Sequence, residues 1–416
     1  MITEVEDVFK TVGLLLFCLQ YFFIAARSSS WNLFGRPGDG YYIAVNIGFP
    51  IQKFNLLIDT GSSNLAIAGK SYPGLESFYD PEKSTTFKYN GSEVKVVYTQ
   101  GWWEGYMGQD FVHIPSLKYL QHVLADLSII TKTNGFYVNN SHWQVLGILG
   151  LAYSEIAKPE GFATSFFDSL SENLPVIVSD RFDIELCGPQ NYTSKEKHFG
   201  KFSVGNSESI CSRTEYSTLI KHRWYYEIEI TGIRVGNKQV KIPCSDFNTP
   251  KTIVDSGTSN LQLSSRSYYS VLSELKRQTS AFFESDDDFW KGKKEICFSG
   301  AEEHFLFKVI LQAFSSVWMD FFPSITIFLN RDEQTHFGIK LHPKSYLRPA
   351  LNRTDQDCWL LGIELAEIGT VLGTVALEGL CVMFDRRKGF IYFSESKCGP
   401  PVSLTSIQNK SGELNY

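Results

Sequence analysis

The sequence predicts an all-β protein of two similar lobes, on the evidence of short strand-like runs and an internal repeat. Beyond the N-terminal region, apolar or alternating runs are separated by turn residues, as at 41–47, 94–98 and 225–233. Helical patterns are few, and those at 162–170 and 266–279 are the clearest. Many short strands with few helices are typical of large β folds.

The internal repeat consists of two copies of one ten-residue element. The first copy is LLIDTGSSNL at 56–65 and the second is TIVDSGTSNL at 252–261. Each copy is followed further along the chain by two apolar residues and a glycine, at 148–150 and 371–373. Self-similarity of this kind indicates two lobes of one plan, joined between residues 187 and 205.

Each copy of the repeat carries an aspartate after three apolar residues, so a buried strand would deliver Asp59 and Asp255 to one place. A glycine lets the backbone turn tightly and approach a partner, and hydroxyl groups can orient a carboxylate or bond across to the opposite loop. The supporting loop residues are Thr60, Gly61, Ser62, Ser256, Gly257 and Thr258.

Two carboxylates brought face to face cannot both ionise, so the pair would hold one proton between them. One group would then activate a water molecule, and the other would protonate a substrate carbonyl. This predicts peptide hydrolysis without a cofactor or a metal. The cysteines form no Cys-x-x-Cys or Cys/His cluster that would suggest zinc.

The charge composition excludes one class of partner. The 416 residues have a formal net charge of -6 and show no clustered excess of lysine and arginine. Phosphate backbones require such clusters, so we expect no nucleic-acid partner.

The chain ends are typical of an exported protein. Residues 1–26 contain the apolar run 12–26, which is shorter than the roughly 20 residues that span a bilayer and predicts a signal peptide, with a signal anchor as the alternative. We interpret 27–39 as a short residual pro-region or linker, 40–190 and 191–399 as the two lobes, and 400–416 as a polar tail. Five glycosylation sequons agree with the secretory pathway; they begin at Asn90, Asn139, Asn191, Asn352 and Asn409.

At the repeat residues, the chain resembles the pepsin family of aspartic proteases, and more closely the β-secretase (memapsin) branch. That branch consists of membrane-anchored enzymes that cleave the amyloid precursor protein in vertebrates. The similarity runs from about Asn32 to Gly399. It includes GYY at 40–42, YTQG at 98–101, GILGLAYSEIAKP at 147–159, WYYE at 224–227, YLRP at 346–349, DQDC at 355–358 and GTVLGTVALEGLCVMFDR at 369–386.

This resemblance implies a bilobal pepsin-like fold, with the active-site cleft between lobes related by a pseudo-twofold axis. It also implies a flap over the substrate, with Tyr98 at its tip and Trp103 as the hydrogen-bond partner of Tyr98. The remaining implied roles belong to the flap residues Thr99 and Gln100, the subsite residues Leu57, Phe136, Tyr137, Trp143, Tyr225 and Gln262, and the disulfides Cys187–Cys398 and Cys297–Cys358.

Several positions depart from the family pattern. Gln262 stands where the family has an arginine that contacts substrate, which weakens the expectation of the family's polar subsite preference. The family would pair Cys244 with a cysteine beyond Cys398 that this sequence lacks. Cys211 and Cys381 have no recognised counterparts, so they could pair with each other, pair with Cys244 or stay free.

The sequence thus predicts a monomeric endopeptidase that acts on polypeptides in the secretory pathway or outside the cell. Membrane anchoring is not encoded in these residues, and neither is a full pro-segment. The alternative is a catalytically silent pepsin-like binding protein, although such relatives usually lose an aspartate or its glycine. A third reading is a digestive or lysosomal pepsin of broad specificity.

Overall fold

The computed structural model describes most of the chain. The described residues are 29–36, 40–72, 75, 77–98, 101–115, 122–134, 146–173, 180–188, 199–205, 210–211, 216–297, 318–331, 335–350 and 358–408. The predicted signal segment 1–26 lies outside this part of the chain.

Strands dominate the described residues. They are β1 Ser29–Arg36, β2 Gly40–Ile47, β3 Gln52–Asp59, β4 Leu65–Ala68, β5 Lys88–Tyr98, β6 Gly101–His113, β7 Val123–Asn134, β8 Gly147–Gly150, β9 Arg181–Leu186, β10 Gly200–Val204, β11 Tyr216–Leu219, β12 Ile230–Val235, β13 Lys238–Gln239, β14 Thr252–Val254, β15 Leu261–Leu263, β16 Ile296–Cys297, β17 Ile325–Asn330, β18 Thr335–Leu341, β19 Leu347–Pro349, β20 Cys358–Leu361, β21 Ile363–Leu365, β22 Thr370–Leu372, β23 Leu380–Asp385, β24 Phe390–Glu395 and β25 Val402–Gln408.

The helices are short by comparison. They are α1 Phe166–Asn173, α2 Cys244–Asn248, α3 Ser265–Thr279, α4 Asp287–Trp290, α5 Pro343–Tyr346 and α6 Thr374–Leu377, with single 3₁₀ turns at Pro81–Lys83, Ser154–Ile156 and Trp318–Phe321. The longest helix, α3, buries Tyr268, Val271, Leu272 and Leu275 on one face. That spacing of three and four residues is the stripe an amphipathic helix needs to pack against a sheet.

One 13-stranded sheet joins the two halves of the chain, in the order β11-β24-β23-β9-β10-β1-β2-β3-β8-β4-β7-β6-β5. Strands β9 and β23, which are about 200 residues apart in sequence, pair antiparallel within this sheet, with Ile184 opposite Val382. A single apolar core cluster extends through both halves. The fold is therefore the predicted all-β, bilobal, pepsin-like architecture.

Two segments predicted to lie outside the lobes are part of the sheets. Strand β1 falls in the predicted linker 27–39, and its Trp31 and Leu33 side chains are buried in the core. Strand β25 falls in the predicted tail 400–416, pairs with β18 and buries Val402 and Leu404. Both segments alternate apolar and polar residues, the period-2 signal of a half-buried strand.

Two predicted element boundaries also differ from the structure. The helix expected from Phe162 begins at Phe166, because the hydroxyl of Ser165 accepts the amide of Asp168 and caps the helix there. The strand expected from Tyr225 begins at Ile230, because the preceding residues form a turn.

Three disulfides form among the described cysteines, and one of them links Cys187 of the first lobe to Cys398. The two pairs implied by the resemblance, Cys187–Cys398 and Cys297–Cys358, are both formed. Of the alternatives left open, Cys211 is bonded to Cys381, and Cys244 is a free, half-buried thiol. Within the described residues, no helix is both long and apolar enough to cross a bilayer.

Candidate active site

Each repeat copy forms the end of a buried strand and the loop that follows it. Asp59 ends β3, which pairs in parallel with β8 so that Asp59 lies beside Gly150. Asp255 follows β14, which pairs in parallel with β22, and its amide donates to the carbonyl of Leu372 at 3.0 Å. The repeat therefore folds into two equivalent strand-and-loop units.

The glycines of the apolar-apolar-Gly elements support these loops from behind. A Cβ atom on Gly150 would lie 2.4 Å from the carbonyl carbon of Ser63, and one on Gly373 would lie 2.2 Å from the carbonyl oxygen of Asn260. Heavy atoms do not approach so closely, so only glycine lets the supporting strand pack against its loop.

The two loops are bonded to each other across the lobes. The hydroxyl of Thr60 donates to the carbonyl of Val254 at 2.9 Å and accepts the amide of Ser256 at the same distance. The hydroxyl of Ser256 donates to the carbonyl of Ile58 at 2.8 Å and accepts the amide of Thr60 at 3.2 Å. These four buried hydrogen bonds fix one loop relative to the other.

The carboxylate of Asp59 is oriented by its own loop. The amide of Gly61 donates to its Oδ1 at 2.8 Å, and the hydroxyl of Ser62 donates to its Oδ2. Burial raises the pKa of Asp59 well above its usual range, and the negative charge of Asp255 raises it further. Asp59 therefore holds a proton at pH values where an exposed aspartate is ionised.

Asp255 is held in the same way by the second loop. The amide of Gly257 donates to its Oδ1 at 2.7 Å, and the hydroxyl of Thr258 donates to its Oδ2 at 2.6 Å. The two carboxylates thus present matching edges, each with one backbone donor and one hydroxyl donor.

The two carboxylates lie within hydrogen-bonding reach of each other. A Cβ atom on Gly61 would lie 2.5 Å from Cγ of Asp255, and one on Gly257 would lie 2.3 Å from Oδ1 of Asp59. Any side chain at either glycine would therefore displace the opposite carboxylate. The glycines of the repeat are what let the two aspartates meet.

The hairpin of β5 and β6 carries the aromatic residues predicted for a flap. The indole of Trp103, which is fully buried, donates to the hydroxyl of Tyr98 at 3.3 Å. The Tyr98 hydroxyl is also hydrogen-bonded to Ser62, and its pKa is raised by burial and by the charge of Asp59. A chain of hydrogen bonds thus runs from the hairpin to Asp59. Thr99 and Gln100 lie outside the described residues.

Three predicted subsite residues are described. Leu57 is half-buried in β3, and Gln262 is half-buried in β15. Burial raises the pKa of Tyr225, and the charges of Asp255 and Asp59 add to the effect, which places its ring near the aspartates. The remaining subsite predictions, Phe136, Tyr137 and Trp143, lie outside the described residues.

One cation beside the site was not predicted from the sequence. The amine of Lys251 lies 3.6 Å from the ring centroid of Tyr225 and interacts with the charges of Glu227 and Asp255, although burial lowers its pKa. The sequence does show that Lys251 directly precedes β14, the strand that leads to Asp255, and this position could have indicated a cation near the site.

One predicted glycosylation site lies in the described part of the chain. Asn90 is exposed on β5, and the other four sequons lie outside the described residues. One group in the described part of the chain could in principle hold a metal ion, Glu295 with Cys297 and Cys358, but its two sulfur atoms are joined in a disulfide. It therefore lacks the thiolates that a zinc site requires.

Comparison with known proteins gives concordant matches. The family model for eukaryotic aspartyl protease matches residues 40–396. The chain is 35% identical over 392 residues to a β-secretase of Strongylocentrotus purpuratus, covering 90% of this chain and 70% of that protein. It is 30% identical over 254 residues to pepsin A of Gallus gallus, covering 59% and 64% respectively. It is 28% identical over 233 residues to vacuolar protease A of Aspergillus fumigatus, covering 54% of each.

Proposed function

The chain belongs to the eukaryotic aspartyl protease family, and on that premise we propose that it is an active endopeptidase whose catalytic groups are Asp59 and Asp255. The observation that carries this proposal is that the two carboxylates meet. Each carboxylate comes so close to the glycine of the opposite loop that a Cβ atom on that glycine would lie within 2.6 Å of it. Catalytically silent relatives would not need both glycines and both aspartates.

The reaction uses the single proton that the pair shares. The ionised carboxylate takes a proton from a water molecule, whose oxygen attacks the peptide carbonyl carbon, while the protonated carboxyl donates its proton to the carbonyl oxygen. The tetrahedral intermediate then collapses, the C–N bond breaks, and the amine leaves with a proton from the pair. No covalent enzyme intermediate is required.

The substrate is a polypeptide held between the aspartates and the β5–β6 hairpin. Tyr98 is tied to Ser62 and Trp103, so the hairpin can close over an extended chain and exclude water from it. The likeness to β-secretase favours a selective enzyme over a digestive one. The three disulfides favour action in the secretory pathway or outside the cell.

The proposal predicts a definite pH dependence. Because the pKa of Asp59 is raised, the pair keeps its shared proton to a higher pH than an ordinary aspartate would. Activity should be lost as pH rises through that raised pKa, since the acid disappears, and again at low pH, where the second carboxyl is protonated and the base disappears.

The test is cleavage of a fluorogenic peptide library by the full chain at pH values from 3 to 8, with and without a statine-type inhibitor. We expect inhibitor-sensitive cleavage with a bell-shaped pH profile. Asp59→Asn and Asp255→Asn should each lower kcat/KM by roughly 10⁴-fold, whereas Asp288→Asn, on the exposed surface, should not. Folded protein with no turnover at any pH would overturn the proposal and favour a binding protein.

A further inference from the structure

The second lobe places a carboxylate beside the catalytic loop where the first lobe places a neutral hydroxyl. In the first lobe, Ala66 of β4 lies in register with Ser128 of β7. In the second lobe, Gln262 of β15 lies in register with Glu364 of β21. In both cases the strand that follows the catalytic loop pairs in parallel with its neighbour.

The equivalence extends to the hydrogen bonds. Asn64, five residues after Asp59, donates from its amide to the hydroxyl of Ser128 at 3.0 Å. Asn260, five residues after Asp255, donates to the carboxylate of Glu364 at 2.6 Å. A common asparagine thus reaches a serine in one lobe and a glutamate in the other.

The two positions differ in exposure. In the first lobe, Ser128 is fully buried, and Ala66 packs with Trp103 of the β5–β6 hairpin. In the second lobe, Gln262 and Glu364 are half-exposed, while their strand neighbours Leu261 and Ile363 are fully buried on the other face. Successive side chains of a strand alternate between faces, so the glutamate is turned away from the buried face on which Leu261 and Ile363 lie.

No cation in the described part of the chain pairs with the carboxylate of Glu364. This carboxylate accepts hydrogen bonds from two neutral amides, that of Asn260 at 2.6 Å and that of Gln262 at 3.5 Å. A half-buried carboxylate without a counter-ion attracts a cation more strongly than a fully solvated one, because the surroundings screen it less.

We propose that Glu364, held by Asn260 and Gln262, is a specificity-determining residue that selects polypeptide substrates with a lysine or arginine at one position near the scissile bond. This inference rests on the proposed endopeptidase function. Gln262 stands where the family pattern has an arginine, and its side chain is a neutral amide that leaves the charge of Glu364 in place.

The test compares kcat/KM for peptides that differ only by lysine or norleucine, scanned through four positions on each side of the cleaved bond. Wild-type protein should prefer lysine at one position by roughly tenfold. Glu364→Gln should abolish that preference, so that the kcat/KM values for the lysine and norleucine peptides become about equal. Gln262→Arg should abolish it as well, because the arginine would pair with Glu364. Glu284→Gln removes an exposed charge of the same lobe and should leave the preference intact.

The same peptides with a reduced, uncleavable bond separate this inference from the proposed function. If nothing is cleaved but wild-type protein binds the lysine peptide about tenfold more tightly than Glu364→Gln does, the endopeptidase proposal fails and the cation subsite stands. If cleavage is efficient but lysine is not preferred at any position, or if the preference survives Glu364→Gln, the subsite inference is overturned.

Discussion

The loop around Asp59 and the loop around Asp255 contain nearly the same residues, but different parts of the molecule cover them. Each aspartate accepts one backbone amide and one hydroxyl, and each loop donates across to the other. The first loop is reached by the hairpin through Tyr98. The second is reached from behind by the guanidinium of Arg348, which donates to the carbonyl of Ser259 at 3.2 Å.

This difference separates two requirements of the site. Sharing a proton needs two carboxylates in equivalent surroundings, and the symmetric hydrogen bonds supply them. A peptide has a direction, and under the proposed function it would be bound between unlike walls, the hairpin on one lobe and, by our inference, the half-exposed Glu364 on the other. The asymmetry therefore lies outside the loops, in residues that do not touch the carboxylates directly.

The largest difference between the loops should appear when Arg348, the buried residue that supports the second loop, is replaced. Arg348 donates to Glu378 at 2.9 Å, and Glu378 also accepts the hydroxyl of Tyr41 from the first lobe at 2.8 Å. Both partners of this ion pair are almost fully buried. Arg348→Met should lower the free energy of unfolding by about 3–5 kcal/mol, because it leaves the buried carboxylate of Glu378 without its cation.

The double variant Arg348→Met/Glu378→Gln identifies the cause of that loss. It removes both charges and keeps an acceptor for Tyr41, so it should recover most of the lost free energy in chemical denaturation. A double variant that is as unstable as Arg348→Met would show that packing, and not the uncompensated charge, makes the support important.

A smaller loss of stability, similar for the two loops, should follow from removing the hydroxyls that hydrogen-bond from one loop to the other. Thr60→Val and Ser256→Ala each remove one donor and leave a buried amide and a buried carbonyl unsatisfied. Each should lower the free energy of unfolding by about 1–3 kcal/mol. Chemical denaturation of the two variants should give similar free energies of unfolding. A large difference between them would show that the two loops are not equivalent.

Much of this site could be predicted from the sequence, because the repeat is local. Each copy is short and contains the strand, the aspartate, the glycine and the hydroxyls that meet in the structure. The apolar-apolar-Gly elements were also visible, although only the structure explains their glycine, which packs against a loop about 90–110 residues away in the chain.

What the sequence could not supply was the pairing of distant, unlike residues. Arg348 with Glu378 and Asn260 with Glu364 have no spacing signal, since the partners are 30 and 104 residues apart and only the folded chain brings them together. The strands at 29–36 and 402–408 are not predicted from the sequence, because a short alternating pattern is a weak signal until the neighbouring sheet edge is known.

The smallest predicted effect is a difference in kcat/KM between variants of the two hydroxyls that orient the carboxylates. The hydroxyl of Thr258 donates to Asp255, whereas the hydroxyl of Ser62 donates to Asp59 and is also hydrogen-bonded to Tyr98 of the hairpin. Thr258→Val should therefore lower kcat/KM by roughly tenfold, the equivalent of one hydrogen bond to a charged group. Ser62→Ala should lower it further and also raise KM, because the hairpin loses its tie to the loop. Equal losses of kcat/KM with unchanged KM in both variants would mean that the hairpin does not act through Ser62, and that the two loops are equivalent in function as well as in form.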